Sequence, residues 1–199
     1  MGKSLGLGCL VIVLVGLLVL GGWAAGTYNR LNAVDQKVTA SWAQVENQYQ
    51  RRMDLVPNLI ETVKGAANFE RETLQAVIQA RASATQVKLD ANSVKNPAAF
   101  EQFQKVQDQL GGALARLLVA VERYPELKAV QGFRDLQAQL EGTENRIAVA
   151  RKDFNDASLA YNTMRRSFPA VIVAGITGFK ERPYFSAAAG AATPPAVKF

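Results

Sequence analysis

The sequence predicts an all-α protein: an N-terminal transmembrane helix followed by an antiparallel up-and-down four-helix bundle. Three observations carry that prediction. The run from Leu5 to Trp23 contains no charged residue, and Lys3 is the single charge between Gly2 and Tyr28. Beyond Tyr28, apolar side chains recur at spacings of 3 and 4 among charged and amide residues, which is the rhythm of amphipathic helices. Prolines and turn-forming clusters then divide this body into four segments. The boundaries follow: an anchor over 1–27, a bundle with a C-terminal lid over 28–185, and a disordered tail over 186–199.

The anchor is justified by length. A bilayer core of about 30 Å takes about 20 apolar residues at a rise of about 1.5 Å each. Trp23 and Tyr28 stand where amphipathic rings favour the membrane–water interface. A cleaved secretory signal is the competing reading, with Lys3 as its basic start and Ala24-Ala25-Gly26 as its cleavage site. The apolar run exceeds the roughly 7–15 residues of such signals, so a retained, single-pass span is expected. In Leu7-Gly8-Cys9 the cysteine precedes the apolar stretch, so Cys9 reads as a small residue facing lipid. Lys3 and the terminal amine on one side balance Arg30 and Lys37 on the other. The charge bias therefore selects neither orientation.

Composition removes several classes of function. The one cysteine lies in the anchor, so no internal disulfide forms. No histidine is present, which removes the commonest general acid–base group and the commonest zinc and haem ligand. The net charge of +6 is dispersed through segments of alternating sign. Without a basic run or a nucleic-acid motif it reads as a solvated helix surface, and no nucleic-acid partner is expected. The lipid bilayer is the one partner that composition names, with mild attraction to anionic headgroups beside the tether.

The first helix of the body carries Leu31, Val34, Val38, Trp42, Val45, Tyr49, Met53, Val56, Ile60, Val63 and Ala67 in one stripe. Its ten steps average 3.6 residues, the α-helical period. Pro57 should kink it, or Asp54 should cap a restart, with the stripe staying in phase either way. A second helix is expected from about Asn68 to Lys88, with a weaker stripe of Phe69, Leu74, Val77, Ile78 and Val87. Pro97 suits the first turn of a third helix, which carries Phe100, Phe103, Leu110, Leu114, Leu117, Val121 and Tyr124. Inside it, Gly111-Gly112 costs helix stability and suggests close approach of a neighbouring backbone. The fourth helix is expected to run from Pro125 to Pro169. From Phe133 to Phe168 its apolar positions alternate 3 and 4 apart, an average of 3.5 that favours gently inclined antiparallel packing. The apolar segment from Val171 to Phe185 reads as a lid over one bundle end, with a membrane-dipping or partner-binding element as the alternative. Val197-Lys198-Phe199 is a candidate docking motif.

Carboxylates are the only candidate catalytic material. Glu141 and Glu144 share one face of the fourth helix, with Arg151 and Asn155 following on much the same side. A di-iron site would pair such glutamates with Glu-x-x-His, and histidine is absent. No metal, cofactor or catalytic residue is therefore assigned. The favoured role is a structural polar layer of Arg51, Arg52, Asp54, Glu141, Glu144, Arg151 and Asn155. In it an arginine of the first helix meets a glutamate of the fourth and locks the register.

Ordered blocks along the chain carry a resemblance. They include Tyr28-Asn29-x-Leu31, Trp42, and Arg51-Arg52-x-Asp54-Leu55-x-Pro57-Asn58-Leu59 with Val63-Lys64-Gly65. Further on come Leu110-x-Gly112-Ala113-Leu114-x-Arg116-Leu117-Leu118 and Tyr124-Pro125-x-Leu127-Lys128. The most specific is Leu140-Glu141-Gly142-Thr143-Glu144-Asn145-Arg146-Ile147, with Ala150-Arg151, Tyr161-Asn162 and Ser167-Phe168-Pro169. Gly178-Phe179-Lys180 and Pro183-Tyr184-Phe185 complete the set. From about residue 28 to 185 the chain resembles the LemA family of bacterial membrane proteins. One departure is Phe154-Asn155, where that family commonly has Tyr-Asn. The resemblance implies a membrane helix followed by a four-helix bundle, and it carries over no catalytic residue.

The function expected is that of a membrane-anchored, non-enzymatic scaffold or adaptor for other membrane or envelope proteins, with self-association into a homo-oligomer also open. A sensing module that transmits helix movement through Pro57, Gly111-Gly112 and the charged layer is the alternative. An enzyme built on Glu141 and Glu144 comes last.

Overall fold

The computed structural model describes residues 2–65, 69–88, 90 and 93–186, the side chains of 2–7 and 9 excepted. The expectations for Cys9, for Ala67 and Asn68, and for the tail from 187 onward lie outside the described residues. What is described is helical and contains no strand.

Helix α1 is unbroken from Gly2 to Lys64, 63 residues or about 95 Å of rod. Its two halves differ in what surrounds them. Every large apolar side chain from Leu10 to Leu20 is exposed, whereas Leu31, Val38, Trp42, Val45, Tyr49, Val56, Leu59 and Val63 are buried. The helix passes through Pro57 without a restart, and the buried positions stay in phase on both sides of it. Asp54 is no cap: it is exposed and accepts a hydrogen bond from Gln50 Nε2 at 2.7 Å.

Helix α2 (Arg71–Gln86) and helix α3 (Pro97–Val121) form a hairpin closed by a short 3-10 turn, Ser93–Lys95. Helix α2 buries Val77 and Ala84, while Ile78 faces solvent, so its stripe is narrower than the sequence suggested. The start of α3 is fixed by Asn96, whose Oδ1 accepts from the backbone N–H of Ala98 and Ala99, with Pro97 at the first helical position. The expected fourth helix is divided. A five-residue helix α4 (Pro125–Ala129) precedes the long helix α5 (Gln131–Arg166), because Val130 between them is extended. Helix α5 ends two residues before Phe168, which is 83% exposed instead of closing the stripe.

Contacts give the topology. From Trp42–Phe154 through Tyr49–Arg151 to Arg52–Glu144, numbers rise on α1 as they fall on α5, so these helices are antiparallel. From Trp42–Phe100 to Arg52–Gln107 they rise together, so α3 runs parallel to α1 across the bundle. Phe69 meets Tyr124 at 4.9 Å and closes the far end of the α2–α3 hairpin. The result is an up-and-down bundle of α1, α2, α3 and α5. Its distal core joins Val56, Leu59, Val63, Val77, Leu110, Leu117 and Phe133; a second core gathers Trp42, Tyr49, Phe100, Phe103, Phe154 and Phe185.

The turn of the hairpin ends at about the level of Asp35 and Val38, so the stretch of α1 below it pairs with α5 and needs other cover. Helix α6 (Ala170–Thr177) and the extended segment 179–186 supply it. Helix α6 packs Val173 and Ala174 on Leu31 and is stopped by Gly178, whose φ of 76° lies in the left-handed region. The segment after it climbs along α5 until Phe185 enters the aromatic core. The segment expected as a lid runs as a strap from Leu31, near the anchor, up to the aromatic core.

Candidate functional site

Strap and polar layers are built from the same two faces of α1 and α5. Arg52 is 2% exposed. Its Nη1 donates to Glu144 Oε1 at 2.9 Å; Nη2 donates to the Gln107 carbonyl at 2.8 Å and to Gln107 Oε1 at 2.7 Å. Its guanidinium also lies 5.0 Å from the Tyr49 ring centroid. Gly111 makes the room: a Cβ there would stand 3.3 Å from Arg52 Nη1. The close approach expected at Gly111-Gly112 is therefore made by an arginine side chain and not by a backbone.

One turn nearer the anchor, Arg151 donates through Nε to the Tyr49 hydroxyl and through Nη2 to Asp108 Oδ1, both at 2.6 Å. Burial raises the Tyr49 phenol above its ordinary value of 10.0; Arg151 and Arg52 oppose that rise and Asp108 adds to it. Nearest the anchor, Arg182 of the strap is 1% exposed and donates through Nε at 3.0 Å and Nη2 at 2.5 Å to Asp35 Oδ1. The Tyr161 ring lies 5.7 Å from this guanidinium. Burial, and after it Asp35, raise the Tyr161 phenol, with Arg182 and Arg165 opposing.

The polar layer expected from sequence is thus partly assembled. Arg52 and Glu144 meet; Arg151 forms a separate layer with Asp108 and Tyr49. Arg51, Asp54 and Glu141 are exposed and join neither, because their helical phase turns them away from the facing helix. Asn155 has a different task. Its Nδ2 donates to the Phe185 carbonyl at 3.0 Å, and its Oδ1 accepts from the Phe185 N–H at 2.8 Å. Seven residues on, Asn162 does the same for Arg182, at 2.8 Å and 3.0 Å. The Tyr161 hydroxyl donates to the Lys180 carbonyl at 2.8 Å and Arg165 Nε to the Phe179 carbonyl at 3.0 Å. An extended segment lacking a sheet partner thereby satisfies its backbone from side chains of α5. Phe154, at the position of departure from the LemA-like pattern, packs its ring on Trp42, Phe100 and Phe185.

Sequence reasoning missed Asp35, Gln107, Asp108, Asn162 and Arg182 as partners. The available signals were the seven-residue spacing of Asn155 and Asn162, and the charged trio Lys180-Glu181-Arg182 set between the aromatics Phe179 and Tyr184-Phe185.

Two concavities border these layers. A polar cleft of about 640 Å³ lies between α1, the 3-10 turn and the strap, with Asn32, Asp35, Lys95, Tyr161, Lys180 and Arg182 among its walls. A surface groove of about 360 Å³ runs past Gly111, Leu114, Leu140, Glu141 and Glu144. In that groove Glu144 is held by Arg52, Glu141 accepts from Gln137 Nε2 at 3.0 Å, and the remaining lining is mostly aliphatic. Among the described residues no group of three or more metal-ligating side chains occurs.

The LemA family model matches residues 41–199, a span that contains the two distal arginine layers and the strap. The chain belongs to the LemA family. Among LemA-related proteins, Magnetosome protein MamQ 2 of Paramagnetospirillum magneticum is 26% identical over 186 residues, covering 84% of this chain and 67% of that protein. Magnetosome protein MamQ of Magnetospirillum gryphiswaldense is 37% identical over 75 residues, 38% of this chain and 28% of its own length. Protein LemA of Metamycoplasma hominis is 22% identical over 143 residues, 72% of this chain and 61% of its length. Among the described residues one helix is long and apolar enough to cross a membrane, which together with the family points to a membrane-associated LemA protein.

Proposed function

We propose that this chain is a single-pass scaffold of a bacterial cell membrane, holding a rigid bundle upright beside the bilayer to position other membrane or envelope proteins. The observation that carries the reading is α1, one uninterrupted helix from the apolar stretch into both cores. A joint without a hinge keeps the bundle at a fixed height above the bilayer. Tethering itself raises the effective concentration of anything the exposed faces bind. Val149 and Leu159 on α5 and Val119 on α3 are large apolar side chains left exposed on the bundle body.

The test places a photo-crosslinking amino acid at Val149, Leu159 or Val119 in the full-length chain within its native membrane. Discrete adducts with other membrane proteins are expected, and they should survive Glu144→Gln. Adducts with lipid or with this chain alone would overturn the scaffold reading.

The polar cleft favours one second reading, a ligand-sensing bundle. Its predicted mark is thermal stabilisation of the full-length protein by a small anion, abolished by Lys180→Ala. No stabilisation by any of a panel of anions would remove it.

A further inference from the structure

Helix α6 is apolar on both of its sides. Ala170, Val173 and Ala174 are buried toward the bundle, yet Ile172 and Ile176 on the other side are 51% and 82% exposed. Phe168, in the turn just before the helix, is 83% exposed as well, and Val171 on α6 is 46% exposed beside Ile172. A helix facing water carries polar residues there, and α6 has no charged residue from Ala170 to Thr177.

Its position says what covers this face. The groove between α6 and α1 is lined by Ala24, Ala25, Tyr28 and Asn29 of α1 with Val173, Ile176 and Thr177. Those α1 residues lie one to six positions past Trp23, about 1.5–9 Å along the axis, and before Arg30, the first charge after Lys3. Headgroups occupy about 5–8 Å on each side of the hydrocarbon. Helix α6 is therefore held at the interface by the same turns of α1 that leave the bilayer. Its bare face continues the exposed apolar surface of Leu10–Leu20. Eight residues span about 12 Å, far short of a crossing, and Gly178 turns the chain back toward the bundle. Basic side chains flank both ends: Arg165 and Arg166 before, Lys180 after.

We propose that α6 is a second bilayer contact, an interfacial helix that sinks Phe168, Ile172 and Ile176 into the leaflet beside the span. The inference rests on α1 crossing that bilayer. Two contacts on one rigid body fix its rotation about the α1 axis, which a single span leaves free.

The experiment uses full-length protein carrying Cys9→Ser, reconstituted into vesicles of phosphatidylcholine and phosphatidylglycerol. Single spin labels are placed through Ile172→Cys, Ile176→Cys, Leu18→Cys as the span reference and Val149→Cys as the water reference. Collision with oxygen is compared with collision with a water-soluble nickel chelate. The oxygen-to-nickel ratio at Ile172 and Ile176 is expected to be severalfold above that at Val149 and to approach that at Leu18. A ratio equal to Val149, with Leu18 reading as lipid, overturns this proposal alone. Leu18 reading as water overturns the membrane-crossing reading and the proposal with it. Dipolar broadening between labels at Ile172 of different molecules shows a second copy on this face and also overturns it.

Discussion

Replacing Arg52 and Glu144 separately should give unequal losses, although the two side chains form one ion pair at 2.9 Å. The asymmetry follows from burial. Arg52 is 2% exposed and Glu144 is 46% exposed. Arg52→Ala removes the donor to three acceptors and leaves Oε1 of Gln107, a residue that is 1% exposed, without that partner, while the Gln107 carbonyl keeps its helical bond within α3. Leaving that buried acceptor unpaired costs about 1–3 kcal/mol, and the packing lost with the buried arginine stem adds to it. Glu144→Ala opens Nη1 toward the surface groove, where water replaces the carboxylate, so about 1 kcal/mol is expected. The coupling between the two should be about 0.5–1 kcal/mol, less than for a fully buried pair because solvent screens Glu144. Urea unfolding of the full-length protein in micelles, followed by far-ultraviolet ellipticity, measures all three terms. An Arg52→Ala loss below about 1 kcal/mol, or strictly additive losses in the double mutant, would refute the assignment of a locked layer.

Three further outcomes are expected. Gly142→Ala should stabilise by up to about 1 kcal/mol, since a Cβ there meets nothing within 4 Å in the middle of α5; Gly111→Ala should gain nothing in the native chain but should become stabilising beside Arg52→Ala, as a set of thermal melts can show. Asn162→Ala should leave the N–H and carbonyl of Arg182 unpaired and release the strap, seen as cleavage within 178–186 at protease levels that spare the native chain; unchanged resistance would count against the amide clamp. Tyr49 titrates above its ordinary 10.0 in the folded state, so the unfolded chain loses this proton first as pH rises. Its contribution is therefore fully present below about pH 10 and is lost as pH climbs through the raised folded value. Tyr49→Phe should flatten that alkaline slope in denaturant midpoints measured against pH; an unchanged slope would refute it.

The helices were legible because burial writes a period into the sequence. Leu31 to Val63 recur every 3.6 residues on average, and the core of α1 holds most of those positions. Pairing across helices leaves no such period. Arg51 and Arg52 are equivalent as letters; only the phase of α1 against α3, one residue being 100° of rotation, decides which enters the core. Phe133 to Phe168 kept its rhythm past the true end of α5, although Phe168 lies in the turn beyond it and is exposed. A stripe records that residues are apolar and cannot record whether protein or lipid covers them. The strap was legible only as an irregular apolar run, since its backbone partners Asn155 and Asn162 lie 30 and 20 residues earlier.

The three arginine layers differ in which part of the chain they secure, and that difference bears on how the molecule holds its shape. Arg52 and Arg151 join α1, α3 and α5, which the apolar cores already hold together. Arg182 joins α1 to the strap, beside the turn that closes the α2–α3 hairpin. There the apolar packing is thin, confined to Leu31, Val173 and Ala174 with partly buried neighbours. Asp35→Asn should therefore loosen the junction between stalk and bundle more than it lowers global stability. Hydrogen exchange read by mass spectrometry would show this as faster exchange of amides in α6 and 179–186, with the amides of α2 and α3 unchanged. Uniform acceleration across all helices would mean that the strap is part of the bundle's single cooperative unit, and that the junction has no stability of its own.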